Sequence, residues 1–128
     1  MYTTFSEDIA AHRGQAWDNP YEGKDKKVVF VCTMGLLRSA TAARLYAKRY
    51  NTRCAGSSPA ALVPLSDALV EWADEIVFVN PDNYGFWKLR YGGDPSRHNI
   101  KVLNIEDNYA HMDPGLIHQF VEQYEKVE

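Results

Sequence analysis

Cys32 and Arg38 are the residues whose types and spacing best suit chemistry. They bound the segment Cys32-Thr33-Met34-Gly35-Leu36-Leu37-Arg38-Ser39, a C-x5-R pattern. Five residues between a cysteine and an arginine can curl into a bowl whose N–H groups converge on an anion, and a helix starting at the arginine adds its own unpaired amides. Arg38 supplies a planar fork suited to two phosphate oxygens. The same positive surroundings favour the thiolate of Cys32, the form that acts as a nucleophile. Gly35 stands mid-loop, where the chain is expected to need a positive φ. Thiolate, amide bowl and guanidinium together suit phosphoryl transfer without a metal or cofactor. The bare pattern also arises by chance, and a cysteine after a strand is often an inert core residue. Context favours chemistry here: a strand before, a glycine within, Ser39 and a helix after. Cys54 reads the other way, as a core thiol on the second strand.

The elements that must hold this loop follow from the apolar pattern. VVFV at 28–31 is a short, continuous β-branched run, expected of a strand buried on both faces. Residues 39–50 are helical, with Ala43, Tyr46, Ala47 and Tyr50 on one face. A brief strand at 52–55 precedes a turn-rich stretch, and Ser66 caps a helix carrying Leu69, Trp72 and Ala73. EIVFVN at 75–80 is a second buried strand, residues 82–91 an aromatic-rich helix ended by Gly92-Gly93, and IKVLNI at 100–105 a further strand. Asp113-Pro114 opens a last helix whose buried stripe is Ile117, Phe120, Val121 and Tyr124. Alternating strands and helices imply an α/β fold, a parallel sheet with helices on both faces, whose ligands bind beyond the C-terminal strand ends. Cys32 has that address.

Composition sets the bounds. At 128 residues, 45% of them hydrophobic and 24% charged, the chain reads as a soluble globular protein able to bury a core unaided. Residues 1–27 are polar and mixed in charge, and are expected to form a docked helix (Phe5, Ile9, Ala10, His12 and Trp17 on one side) or an arm. Residues 28–128 form the domain that holds the site. The net charge of −3 makes nucleic acid a poor partner. No apolar run nears the roughly 20 residues of a membrane span, and no signal peptide is recognisable. Two cysteines suit a reducing compartment, so a cytoplasmic location is expected.

The loop resembles the active-site loop of the low-molecular-weight protein tyrosine phosphatases, which read C-x-G-N-x-C-R-S-P after a first strand. The likeness extends to CAGSSP at 54–59, similar to the family's S-A-G-T segment, and to WADEIVFVN at 72–80, similar to its third strand. NIEDNY at 104–109 resembles the D-V-P-D-P-Y segment that carries the general acid. Together these span 28 to about 124, and D-x-Y-x-x-M-D-P before the last helix resembles a shorter bacterial and phage-type branch. The resemblance implies a four-stranded parallel sheet in a three-layer sandwich. It implies in-line attack by Cys32 on a phosphomonoester, with Arg38 and the amides of Thr33, Met34, Gly35, Leu36 and Leu37 holding the phosphate. Ser39 would hydrogen-bond the thiolate and ease its departure. Asp107 would protonate the leaving group, although Glu106 and Asp113 also compete, Asp113 having a ready explanation as an N-cap. Tyr109 would stand at the rim and select an aryl phosphate by stacking, or else pack as a loop tyrosine; Tyr84, Phe86 and Trp87 are further rim candidates. The implied partner is a phosphotyrosine protein or a small aryl phosphomonoester, with no membrane, no nucleic acid, no metal and no cofactor. The chain departs from the family at Met34-Gly35, Leu37, Ala40 and Asn108.

Other chemistries use similar parts. An arsenate reductase on this fold needs two more thiols on a downstream segment, and no cysteine follows Cys54. A sulfurtransferase or a cysteine phosphocarrier would not need Arg38. A phosphate-binding module without turnover would keep the bowl alone.

Overall fold

The computed structural model describes residues 26–35, 37–61, 63–91 and 99–125. The arm expected over residues 1–27 lies outside the described residues except for Lys26 and Lys27, as do Leu36 and the Gly92-Gly93 pair. Four strands, β1 (Lys27–Cys32), β2 (Asn51–Gly56), β3 (Glu75–Phe78) and β4 (Asn99–Val102), form one sheet in the order β2-β1-β3-β4. Every pairing is parallel. The chain leaves β1 for β2 on one side, then crosses to β3 on the other. The strand order therefore reverses at β1, and a crevice opens beyond its C-terminal end, at Cys32.

Helices cover both faces, as expected. Along β1 the side chains alternate: Val28, Phe30 and Cys32 pack with α1 (Arg38–Leu45) and α4 (Pro114–Phe120), while Val29 and Val31 face α2 (Asp67–Trp72) and α3 (Pro81–Tyr91). Ala40, Ala42 and Ala43 are fully buried on α1, and their small size lets the helix lie close on the sheet. Phe30 centres this layer, with ring centroids 5.9 Å from Tyr46, 6.3 Å from Phe120 and 5.5 Å from Tyr124. On the opposite face Phe78, Tyr84 and Trp87 form the aromatic cluster.

The local signals hold with some shifts. Ser66 caps α2, its Oγ accepting from the Leu69 N–H at 3.2 Å. Asp113 caps α4, accepting from the Gly115 N–H at 2.7 Å, with Pro114 in the first turn. The buried stripe there is Leu116, Phe120 and Tyr124; Ile117 is only half-buried. The helix widens into a π-helical turn over Val121–Glu125, which keeps a spacing of four residues on the core side. The strand expected at 100–105 ends at Val102, and it lies at the sheet edge, with Val102 exposed. Beyond it Leu103 and Ile105 still donate to the Phe78 and Val79 carbonyls, at 2.8 and 2.9 Å, and both side chains are buried. The line of the strand thus continues past the end of β3 and carries the following loop to the crevice. Among the described residues no helix is long and apolar enough to cross a membrane.

At the opposite end of the sheet, Glu75 is fully buried at the start of β3. Its Oε1 accepts from Lys26 Nζ at 3.2 Å and Asn99 Nδ2 at 3.0 Å, and pairs with Lys101 Nζ at 3.4 Å. Its Oε2 accepts from the Tyr124 hydroxyl at 2.6 Å. This carboxylate joins the chain ahead of β1, β4 and the last helix. Glu75→Ala should leave the Tyr124 hydroxyl and Asn99 without their acceptor and destabilise the fold by about 2–4 kcal/mol in urea unfolding. A change below about 0.5 kcal/mol would show that the network contributes nothing net.

Candidate active site

The turn from β1 into α1 forms the site. Cys32 is only 3% exposed. Its Sγ accepts from the Gly35 N–H at 3.2 Å and lies 3.1 Å from Ser39 Oγ, so a loop amide and a hydroxyl both reach the sulfur. The bowl closes on itself because Gly35 has φ +75°. A Cβ on Gly35 would stand 2.8 Å from the Ala55 carbonyl carbon and 2.9 Å from the Gly56 nitrogen. The positive φ expected at Gly35 is therefore matched by a close approach to β2 that no side chain would fit. The Ser57 and Ser58 amides complete the seat, donating to the Cys32 and Thr33 carbonyls at 2.8 and 3.0 Å.

Arg38 opens α1 and is buried, 3% exposed. It donates from Nη1 to the Ile105 carbonyl at 2.8 Å and from Nη2 to Thr33 Oγ1 at 3.4 Å. Its Nε makes no hydrogen bond among the described residues, although Asp107 Oδ1 lies 3.6 Å away in an ion pair. One donor of a buried guanidinium thus makes no hydrogen bond among the described residues, six positions along the chain from Cys32. Asp107 itself is 62% exposed, on the loop that follows β4. That loop is pinned to α1 through Thr41, whose hydroxyl accepts from the Met112 N–H at 2.9 Å and lies 3.5 Å from His111 Nδ1. Met112 takes φ 60° there, an unusual conformation for a residue other than glycine, and the Thr41 contact holds it.

A cleft of about 330 Å³ lies over Arg38, lined by Thr33, Arg38, Asn80, Asp82, Asn83, Glu106 and Asp107. The structure thus brings Cys32, Thr33, Gly35, Arg38, Ser39 and Asp107 to one end of the sheet. Both Glu106 and Asp107 line the cleft, whereas Asp113 is committed to its cap. Met34 is an exposed loop residue and Leu37 is half-buried; Leu36 lies outside the described residues. Tyr109 does not line this cleft. It packs against the core on the α1 and α4 side, its ring so close over Gly115 that a Cβ there would stand 3.1 Å from it. Its exposed part borders a separate depression with Asn104, Ile105, Glu106 and Gln119. Of the other aromatic candidates, Trp87 is buried in the core, Tyr84 packs against it and Phe86 is exposed; none lines the cleft. Polar residues do so instead. The places of Asn80 and Asn83 depend on the turn between β3 and α3 and are not legible from spacing, although an asparagine ahead of Pro81 is a recognisable helix-opening signal.

No family model matches the chain, and no curated protein matches it. Among solved structures, the crystal structure of YfkJ from Bacillus subtilis is similar, with a TM-score of 0.51 and 22% sequence identity over 70% of this chain and 78% of that one. At that identity the likeness concerns the fold. The two share the α/β architecture, here a four-stranded parallel sheet layered between helices.

The seat of the loop gives a direct test. Gly35→Ala must place a Cβ against the β2 backbone and hold an L-residue at positive φ, which should destabilise the protein by about 1–3 kcal/mol in urea unfolding. Unchanged stability would mean that the loop does not sit on β2 in this way.

Proposed function

We propose that the chain is a cysteine-dependent phosphatase that hydrolyses phosphotyrosine-type phosphomonoesters through a phosphocysteine intermediate, without a metal cofactor. One observation carries this reading. The Cys32 sulfur is held by the Gly35 amide and Ser39 hydroxyl in the same turn that presents Arg38, with Asp107 3.6 Å from that arginine. The fold shared with YfkJ is compatible with it.

In this reading Cys32 attacks phosphorus in line, forming an S–P bond while the P–O bond to the leaving group breaks. Arg38 and the loop N–H groups carry the charge on the equatorial oxygens. Asp107 donates a proton to the departing phenolate, then accepts one from the water that attacks phosphorus in the intermediate. That second step releases inorganic phosphate and returns the Cys32 thiolate, which the Ser39 hydroxyl stabilises as a leaving group. The substrate would be a phosphotyrosine protein or a small aryl phosphomonoester.

Hydrolysis of p-nitrophenyl phosphate by the reduced protein should persist in EDTA and fall to background in Cys32→Ser. No turnover between mildly acidic and neutral pH would overturn the reading. Asp107→Asn should slow esters of poor leaving groups by about 100-fold and p-nitrophenyl phosphate far less, since an activated phenolate needs little protonation. Equal slowing of both would move the acid role to another residue, with Glu106 next in line on the same cleft.

A further inference from the structure

Asn83 stands in the first turn of α3 and is buried, 3% exposed, yet no step of the chemistry uses it. Its Nδ2 donates to Thr33 Oγ1 at 3.1 Å and to Ser57 Oγ at 3.2 Å. A single amide thus ties the cysteine loop to the loop after β2. Thr33 is the only residue with a polar side chain between Cys32 and Arg38, so this is the one side-chain handle by which the loop can be held from outside. The same Thr33 hydroxyl accepts from Arg38 Nη2 at 3.4 Å. The order Asn83, Thr33, Arg38 is therefore a continuous chain of hydrogen bonds from α3 to the guanidinium.

The mount of Asn83 is fixed as well. At the start of α3, Asn80 Oδ1 accepts from the Asp82 N–H at 2.9 Å. Asn80 Nδ2 donates at 3.4 Å to the Ile105 carbonyl, the acceptor that Arg38 Nη1 also uses. Two asparagines, one just ahead of α3 and one in its first turn, therefore each donate to an acceptor of the guanidinium. Meanwhile Asn83 Oδ1 is buried and makes no hydrogen bond among the described residues. Such an unmet acceptor is costly, and an apolar side chain would avoid it. The cost is consistent with a role for the Nδ2 contacts beyond packing.

We infer that Asn83 is a positioning residue: it sets Thr33, and through Thr33 the orientation of Arg38 and of the loop, for binding the phosphoryl oxygens. The kinetic half of this inference rests on the phosphatase reading; the binding half rests on the anion bowl alone. Asn83 lines the cleft, but its nitrogen is committed to the Thr33 and Ser57 hydroxyls, so its part is to hold the loop in place.

The test is alkylation of Cys32 by iodoacetate with inorganic phosphate as the protecting anion, which needs no turnover. Asn83→Ala should raise the phosphate concentration that half-protects Cys32 by about tenfold, and lower kcat for p-nitrophenyl phosphate by a similar factor. Thr33→Val cuts the same link at its exposed end without emptying a buried position, so it serves where Asn83→Ala unfolds, and it should weaken protection likewise. The double variant should lose no more than the weaker-binding single variant, because both act on one link. A lower melting temperature with phosphate protection unchanged would make Asn83 a packing residue and overturn the inference. Additive losses in the double variant would overturn the route through Thr33. Wild-type protein protected by phosphate but inactive on aryl phosphates would overturn the phosphatase reading alone, while wild-type protein that phosphate never protects would overturn the anion bowl and the role of Asn83 with it.

Discussion

The backbone of Thr33, Met34 and Gly35 lies against that of Ala55 and Gly56 closer than any side chain would permit, and the geometry of the site follows from that contact. A Cβ on Gly56 would stand 2.6 Å from the Thr33 carbonyl oxygen and 2.8 Å from the Met34 carbonyl carbon, so each loop needs a glycine where they meet. Once seated, the Cys32 and Thr33 carbonyls turn toward the Ser57 and Ser58 amides. With carbonyls committed to the neighbouring loop, the chain can turn a later amide inward, and the Gly35 N–H reaches the Cys32 sulfur. The bowl is thus a consequence of how β1 and β2 end together. Register enforces this: Cys32 pairs with Gly56 in the parallel ladder, so both loops leave the sheet at the same level.

Two buried charges mark the two ends of the sheet, and they are satisfied differently. Glu75 has partners on both oxygens from the chain ahead of β1, β4 and the last helix. This is what a structural charge needs when withdrawn from water. Arg38 has a short bond from Nη1 and a long one from Nη2, while among the described residues Nε has an ion-pair neighbour beyond hydrogen-bonding distance, and that neighbour is exposed. Incomplete satisfaction of a buried group is uncommon in a purely structural role and common where a ligand completes the set. Arg38 differs from Glu75 in lining a cleft as well, so that its Nε is unpaired where a ligand could reach the residue.

The cysteine loop and the alternation of strands were legible because both are local. The apolar run at 28–31 lies within β1 and the run at 75–80 contains β3, Ser66 and Asp113 cap their helices, and Gly35 has the positive φ its place in the loop suggests. What escaped depends on contacts across the sheet. The run at 100–105 reads as a buried strand, but only the sheet order shows that β4 is an edge and that Leu103 and Ile105 are buried beyond it. An aromatic in a loop can equally stack on a ligand or plug a core, and Tyr109 takes the second course because Gly115 leaves room for its ring. Asn80 and Asn83 look like ordinary turn residues until α3 brings them over Thr33 and Ile105. Sequence spacing shows which residues are neighbours along an element; it does not show which elements share an acceptor.

The lining of the cleft bears on how an anion would reach it. Asp82, Glu106 and Asp107 line the opening, and among the described residues of the lining the one cation is the buried Arg38. In the proposed function a phosphate dianion would meet these carboxylates at the mouth, and the net charge of −3 offers no long-range attraction to offset them. At physiological ionic strength such fields fade over about 8 Å, so the repulsion acts only near the mouth. In the proposed function capture would come from short-range donors, the loop N–H groups and the Arg38 Nε, whose strength depends on direction as well as charge. A bowl that binds by direction has to be held rigidly, and this one has only Thr33 as a side-chain tether of its own. Rigidity in this site therefore comes from its neighbours: the β2 backbone below the loop, and α3 at its side.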